Sequence, residues 1–371
     1  MANHWTGIVS AAAPEFVKGS LDKTIRKRLW MSMLNKRGLV RTGVDGSYER
    51  EYDVDYKEPP VTSFGFGGQA TYEARDYLKR AKMGWRGYIA TDEMHVKEYK
   101  MLKNSTHNLV NRYNKIVPKL VTGMQNKFGR EFYIDGGAAG NTERFEGIET
   151  LCGSGGTVTA ADIIVEPDDS YHSLDTDLHQ AGTWTSDETT KPNAAFGYDW
   201  PDGSGDPEFD YNSPLLVKWD GSGWGGDSTS WEDQCIACIR RTAQWMRQSA
   251  GLEGDTLLLM LAGHLMTDFK AANDSKIRVL TPHREAEDLG FPDVLNFEGV
   301  GIQSEWGVPT NTGYMVAIDN VKLDFITDDM IETMGPVFNE ESMSHRFNAL
   351  SFGNFTFSAK HVAKLYPFAT T

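Results

Sequence analysis

One stretch of this sequence predicts a long two-stranded hairpin that lacks a core of its own. Residues 47–57 alternate with a period of two, which places tyrosines on one face and acidic side chains on the other. Pro59-Pro60 breaks this strand, residues 63–68 form a glycine-rich tip, and residues 70–89 return as a second extended stretch. Because an isolated hairpin is marginal in water, we expect this one to lie on a partner. The pattern therefore points to assembly.

The charge distribution supports an assembling chain. The 371 residues carry a net charge of −15, which argues against a simple basic nucleic-acid-binding protein. Residues 1–130 hold 23 Lys and Arg against 13 Asp and Glu, whereas residues 131–371 hold 14 against 39. A basic third is thus joined to an acidic remainder. We expect the hairpin and the N-terminal arm, which together are net positive, to rest on the acidic surface of a neighbouring copy.

The periodicity elsewhere predicts a mixed α+β protein. Helices are expected over residues 14–38, 106–128, 230–250 with Ser230 as the N-cap, and 266–273. The first has a narrow apolar stripe at four-residue spacing, formed by Leu21, Ile25, Leu29 and Met33. Strands are expected over residues 132–137, 256–262, 276–280, 295–302, 313–318, 321–325 and 354–358.

Residues 162–233 form an acidic, loop-rich stretch with 17 Asp and Glu and two lysines. Within it, Asp206, Glu208 and Asp210 stand at alternate positions and are the candidate calcium ligands. The stretch lacks the glycine and the closing glutamate of an EF-hand loop, so we expect no metal there.

No catalytic motif stands out, and we predict neither an enzyme nor a cofactor. The sequence contains no Gly-Lys dipeptide for a phosphate loop and no Gly-x-Ser-x-Gly elbow. Cys235 and Cys238 are expected to be buried thiols on a helix rather than zinc ligands. The longest aliphatic run, residues 257–262, is far shorter than a membrane span, and no secretion signal is evident, so we expect a soluble protein.

Four ordered stretches carry a family resemblance. They are residues 77–90 (YLKRAKMGWRGYIA), 144–151 (RFEGIETL), 295–303 (LNFEGVGIQ) and 308–323 (VPTNTGYMVAIDNVKL), with a further weaker match at 161–184. In this order they resemble the major capsid proteins of tailed bacteriophages, which have the Hong Kong 97-type fold. The resemblance extends from about residue 35 to residue 367.

The resemblance implies an α+β capsid fold with five parts. Residues 1–38 would be the N-terminal arm, 39–90 the extended loop, 91–150 the peripheral domain with a spine helix over 91–129, 151–335 the axial domain, and 336–371 a return to the peripheral domain. The chain would form hexamers and pentamers that assemble in the host cytoplasm into an icosahedral shell. This shell would be the virion capsid and would enclose double-stranded DNA. The short arm leaves no room for a long scaffolding segment, so the resemblance implies a separate scaffolding protein or none. Separate scaffolding, portal or decoration proteins are the expected partners, and no membrane is expected. The expected inter-subunit contacts are Lys23, Arg26, Lys27, Tyr48, Tyr52, Tyr56, Pro59, Pro60, Phe64, Phe66, Tyr72 and Tyr77.

An alternative function remains open from the residues alone. The acidic loops, with tryptophans such as Trp200 and Trp224 that look exposed, also suit a secreted or surface carbohydrate-binding or calcium-dependent β-rich protein. A closed shell or ring of subunits would favour the capsid, and a monomer that binds glycans would favour the alternative.

Overall fold

The computed structural model of the chain describes residues 28–44, 48–55, 63, 66, 68, 78–102, 106–153, 163–165, 167, 170–176, 212–220, 224, 230–250, 256–275, 281–289, 291 and 293–367. The strands of this part of the chain are β1 (Val40–Arg41), β2 (Glu49–Asp55), β3 (Leu78–Gly84), β4 (Arg86–His95), β5 (Ile164–Val165), β6 (Ser170–Tyr171), β7 (Leu174–Asp175), β8 (Leu215–Lys218), β9 (Leu257–Leu261), β10 (Thr281–Pro282), β11 (Leu295–Phe297), β12 (Val300–Ser304), β13 (Gly313–Ala317), β14 (Val321–Phe325), β15 (Glu332–Asn339), β16 (Ser344–Phe357) and β17 (Val362–Tyr366). The helices are α1 (Leu29–Lys36), α2 (Val96–Leu102), α3 (Thr106–Glu131), α4 (Ile148–Cys152), α5 (Trp231–Ala250), α6 (Gly263–Ser275) and α7 (Arg284–Asp288).

Helix α1 is embedded in the body of the protein. Its residues 29–34 are all buried, and Trp30 stacks on Phe132 with ring centroids 4.2 Å apart. The predicted narrow stripe is therefore wrong for this part of the arm, because the helix meets neighbours on all sides. Gly38 ends the segment as predicted, with a φ of +69° that favours glycine.

The hairpin pairs β2 with β3 in an antiparallel register that sets Tyr52 opposite Ala81. The predicted return strand over 70–89 does not continue as one element. After Gly84 the chain leaves the hairpin, and β4 pairs with β16 instead. Residues 91–95 consequently belong to a strand, so the predicted start of the spine helix at residue 91 is wrong. The long helix is α3, which runs through Pro118 to Glu131.

A five-stranded sheet is built around β16, which pairs antiparallel with β4, β14 and β15. Strand β1 adds to it in parallel at β14. Helix α3 packs against β4 and β16 of this sheet. The predicted strand over 132–137 is absent, because Phe132 and Ile134 donate backbone hydrogen bonds to Phe128 and Glu131 and so continue the end of the helix as turns.

An eight-stranded sheet forms the second layer, in the order β10-β11-β12-β9-β13-β17-β8-β5. All five residues of β9 are 0 % exposed, as expected for a continuous apolar strand covered on both faces. Leu258 and Met260 join the core that contains α1 and α3, while Leu257, Leu259 and Leu261 join the core under α5 and α6. This sheet therefore lies between the two cores and contributes side chains to both.

The predicted limits at residues 150 and 335 do not coincide with the sheets. Strand β14, placed by the prediction in the axial range, lies in the five-stranded sheet with β16. Strand β17, placed in the C-terminal return, lies between β13 and β8 in the eight-stranded sheet. The chain crosses between the two sheets several times, so domains made of contiguous residue ranges do not describe it.

Candidate assembly surface

The base of the hairpin is fixed to the body of its own chain by a buried carboxylate. Asp324 on β14 is 0 % exposed and receives Arg41 Nε on Oδ1 at 2.6 Å, while Arg50 of β2 binds Oδ2. The Thr356 hydroxyl donates to the same Oδ2 at 3.3 Å. A buried carboxylate requires such partners, so the base is held in one orientation.

A second polar contact on the same side involves His172, whose side chain is buried. Its Nδ1 lies 2.7 Å from the Tyr52 hydroxyl and its Nε2 lies 2.9 Å from Glu146 Oε2, while Lys82 N of β3 donates to its carbonyl at 2.9 Å. Burial opposes ionisation of Glu146, but His172 and Arg86 outweigh it and hold the pKa of that carboxyl below its ordinary value. Burial raises the pKa of Tyr52. Tyr52 thus belongs to the anchoring face of the hairpin.

The opposite face of the hairpin is exposed and carries a ladder of charges. Arg80 lies 3.2 Å from both Asp53 and Glu51, and Lys82 lies 3.4 Å from Glu51. These pairs are solvent-exposed and so contribute little to stability. Their charges balance, however, which means that the described base of the hairpin does not present the positive surface that the sequence suggested.

Basic residues of the N-terminal segment also find acidic partners within the chain. Arg28 Nη1 lies 3.0 Å from Glu305 Oε1, and Arg37 lies 2.7 Å from Glu285 and also binds Asp319. Burial works against ionisation of Glu285, yet its hydrogen bonds with Arg37 lower its pKa. These basic residues of the N-terminal third therefore pair with acidic residues of the remainder within one chain.

An exposed apolar patch covers the outer face of the five-stranded sheet. We call it the outer strip and define it by Ile89 (63 % exposed), Val337 (58 %), Met334 (44 %) and Phe352 (41 %). The register places Ile89 opposite Leu350, Phe352 opposite Gly87, Met334 opposite Asn348 and Val337 opposite Arg346, so all four side chains stand on one face.

The ring of Phe352 explains why a glycine, Gly87, stands opposite it on β4. A Cβ atom at Gly87 would meet Phe352 Cε1 at 2.8 Å, so the ring occupies the space beside the glycine that a side chain would need. Clusters of exposed apolar side chains on a soluble protein commonly mark contact surfaces. The outer strip was not predicted from the sequence, although the alternation of residues 344–352 carries part of the signal.

Of the predicted inter-subunit residues, the structure describes three. Tyr48 is 99 % exposed and Phe66 at the tip is fully exposed, while Tyr52 has the intrachain partner His172. The remaining predicted contacts and the calcium candidates lie outside the described residues: Lys23, Arg26, Lys27, Tyr56, Pro59, Pro60, Phe64, Tyr72, Tyr77, Asp206, Glu208 and Asp210.

Other predicted features concern metal, membrane and sugar binding. In the part of the chain that the structure covers, His, Cys, Asp and Glu side chains form no group of three suited to a metal ion. Among the same residues, no helix combines the length and apolar character needed to cross a bilayer. Trp224, one of the two tryptophans that suggested carbohydrate binding, is 8 % exposed and donates from Nε1 to Lys218 O at 2.7 Å. The expectation that it is exposed is therefore wrong.

Comparison with known proteins gives a consistent fold. No family model and no curated protein matches the sequence. Among solved structures, the capsid of cyanophage A-1(L) is similar over 91 % of this chain and 92 % of its own, with 12 % identity and a TM-score of 0.54. The capsid of the native GTA particle is similar over 90 % and 89 %, with 10 % identity and a TM-score of 0.51. The predicted α+β fold is confirmed: this chain has the Hong Kong 97-type fold of phage capsid proteins.

Proposed function

We propose that the chain is a major capsid protein that assembles with copies of itself into an icosahedral shell. The observation that carries this proposal is the likeness, over about nine-tenths of both chains, to the cyanophage capsid structure. The outer strip and the exposed tip residue Phe66 support it, because a chain of this fold needs surfaces that pair with a neighbour.

In this proposal the hairpin reaches a neighbouring subunit. Its base is held rigidly by Asp324 and His172, so the direction in which the tip projects is determined by the body. The tip carries Phe64 and Phe66, and the outer strip of a neighbour offers the apolar surface they need. Many such weak contacts, repeated around a closed lattice, add up to a durable shell.

The remaining parts of the proposal concern the contents of the shell and its helpers. The shell would enclose double-stranded DNA, and the net charge of −15 suits a container that does not grip phosphate. Hexamers and pentamers would form in the host cytoplasm with separate scaffolding, portal or decoration proteins. The role is structural rather than catalytic. The five ranges predicted from the sequence would correspond to the arm, extended loop, peripheral and axial parts of the capsid protein. Their limits would be moved so that the strands of each sheet belong to one part.

Electron microscopy of the purified chain tests the proposal. We expect closed shells, tubes or rings of five and six subunits. A protein that stays monomeric at high concentration and binds glycans would contradict it and favour the carbohydrate-binding alternative.

The contribution of the outer strip is tested separately by charge insertion. Ile89→Glu and Val337→Glu should leave the subunit folded, since both side chains face solvent, yet block shell formation. Met101→Glu is the matched control, because Met101 is 75 % exposed on α2 outside the strip. Shells from the strip variants as abundant as those from the control would show that the strip is not an assembly contact.

A further inference from the structure

Helix α3 has a charge balance opposite to that of the whole chain. Its 26 residues include five Lys and Arg and one acid, Glu131, whereas the chain holds 37 Lys and Arg against 52 Asp and Glu. Glu131 is 0 % exposed and is bound by Lys127 and Arg144. Residues 116–131, the part of α3 whose side chains the structure describes, therefore present no carboxylate to solvent.

The exposed positions of α3 form one row along the helix, which we call the α3 stripe. They recur at steps of three and four residues and are Lys119, Gly123, Asn126, Lys127 and Arg130. Lys119 and Arg130 form no ion pair with any residue that the structure describes, and Lys127 remains 46 % exposed in its own pair. The stripe thus carries three cations along about 16 Å of helix axis, the rise of eleven residues.

Trp306 borders the α3 stripe at Arg130. Its ring is 62 % exposed, and the Arg130 guanidinium lies 4.5 Å from the ring centre. Arg28 lies 5.2 Å from the same ring and donates from Nη1 to Trp306 O at 3.0 Å, so Trp306 is held in place. The contact with the ring orients Arg130 and leaves its charge unneutralised.

A groove of about 620 Å³ opens beside Asn126 and Trp306. Its lining adds one exposed cation, Lys270, and one exposed carboxylate, Asp293, whose charges offset each other. Glu305 also lines the groove, but its side chain is 8 % exposed and already accepts hydrogen bonds from within the chain. The groove therefore does not cancel the positive charge of the α3 stripe.

The α3 stripe and the outer strip lie on opposite sides of the five-stranded sheet. The Phe128 ring of α3 lies 6.2 Å from that of Phe325 and 5.5 Å from that of Tyr88, measured between centroids. Ile89 and Phe352 of the outer strip point to the other face. One side of this sheet thus offers apolar side chains, and the helix that covers the other side offers cations.

We propose that the α3 stripe contacts the phosphate backbone of double-stranded DNA. This inference rests on the proposed capsid function, which places DNA inside the shell. A row of cations about 16 Å long matches about five base pairs of duplex, in which each strand carries a phosphate every 3.4 Å or so of axis. Lysine is depleted at protein–protein interfaces, whose centres are apolar and aromatic, so the stripe suits phosphates better than the acidic surface of another copy.

A contact of this kind is weak and independent of base sequence. The three cations of the stripe belong to a chain with a net charge of −15, so they would position the duplex locally without binding it tightly. In this proposal the side of the five-stranded sheet that carries α3 faces the interior of the shell.

Titration of the full chain with DNA tests the inference. A short fluorescent duplex of mixed sequence is the probe, and its anisotropy gives the association constant at several salt concentrations. Lys119→Gln and Arg130→Gln should each reduce the slope of log association constant against log salt concentration by about 0.9, the value for one phosphate contact. Lys322→Gln is the matched control and should leave the slope unchanged, because Lys322 is exposed and alternates with the buried Val321 and Leu323, which face α3.

The titration uses unassembled subunits, so its result is independent of shell formation, which electron microscopy tests separately. We expect the double variant Lys119→Gln/Arg130→Gln to form shells and to lose about 1.8 of the slope. An unchanged slope in the double variant would overturn the inference even where shells form. A double variant that binds DNA normally but no longer assembles would also overturn it, because the stripe would then contact another copy. Absence of shells from the unaltered chain would refute the capsid proposal whatever the slopes.

Discussion

Arg41 Nε and Asp324 Oδ1 lie 2.6 Å apart, although 283 residues separate them along the chain. Arg50 binds the second oxygen of the same carboxylate. One buried side chain thereby ties the segment after the arm and the first strand of the hairpin to the five-stranded sheet.

Loss of this carboxylate should be costly. Asp324→Ala leaves two guanidinium groups without their buried partner, and we expect the free energy of unfolding to fall by about 3 to 5 kcal/mol. Asp55→Ala, an exposed acid on the outer face of the hairpin, should leave the stability unchanged. Urea denaturation of both variants is the measurement, and similar midpoints would contradict the anchoring role.

The titration of Glu305 predicts a specific pH dependence. Burial raises the pKa of this carboxyl to about 6, despite hydrogen bonds from Arg28, Tyr133 and Trp30. The folded state then holds this proton more tightly than the unfolded state, so the stabilisation from Glu305 is complete below about pH 4.5 and is lost as the pH rises through 6. For a shift of this size the loss is about 2 kcal/mol.

Glu305→Gln removes that dependence. The difference in unfolding free energy, variant minus unaltered chain, should increase by about 2 kcal/mol between pH 4.5 and pH 7. Denaturation curves at several pH values give this difference directly. A difference that stays constant over that range would show that Glu305 does not titrate there.

Two glycines of α3 provide a matched pair of substitutions. A Cβ atom at Gly129 would displace Arg28, whereas a Cβ atom at Gly123 would meet nothing within 4 Å. Gly129→Ala should therefore destabilise the protein by about 1 to 3 kcal/mol through lost hydrogen bonds. Gly123→Ala should stabilise it by about 0.5 to 1 kcal/mol, because alanine favours a helix. Thermal unfolding that moves in the same direction for both would refute this reading of the Arg28 site.

Removal of the hairpin tip should separate folding from assembly. The described contacts of the hairpin with the body come from its base, at Arg50, Tyr52 and Lys82. Deletion of residues 59–68 should leave the unfolding transition of the subunit in place and prevent shell formation, as seen by electron microscopy. A large loss of subunit stability would mean that the tip packs on its own chain.

The sequence predicted elements best where one local pattern determines the structure. Helix α5 begins one residue after the predicted cap Ser230, whose hydroxyl lies 3.4 Å from Asp233 N. Strand β9 lies within the predicted range 256–262, because an uninterrupted apolar run of this short length favours a fully buried strand. The alternating faces of β2 also agree with the prediction.

The sequence predictions failed where contacts with residues far away in the chain determine the structure. Nothing local to residues 84–86 indicates that the chain leaves β2 and joins β16. The burial of α1 on all sides depends on aromatic residues such as Phe132, about one hundred positions later. No sequence motif marks His172 or Asp324. They matter because the fold brings Tyr52 to His172, and Arg41 and Arg50 to Asp324.

Strand β17 lies between β13 and β8, and among the strands that the structure describes it is the one that joins these two in the sheet. Until residues 362–366 have been synthesised, the eight-stranded sheet exists only as two separate parts with exposed edges. A nascent chain on the ribosome therefore lacks the completed eight-stranded layer of the body. In the proposed shell, subunits would become competent to join one another only after translation of β17, which would keep unfinished chains out of the growing assembly.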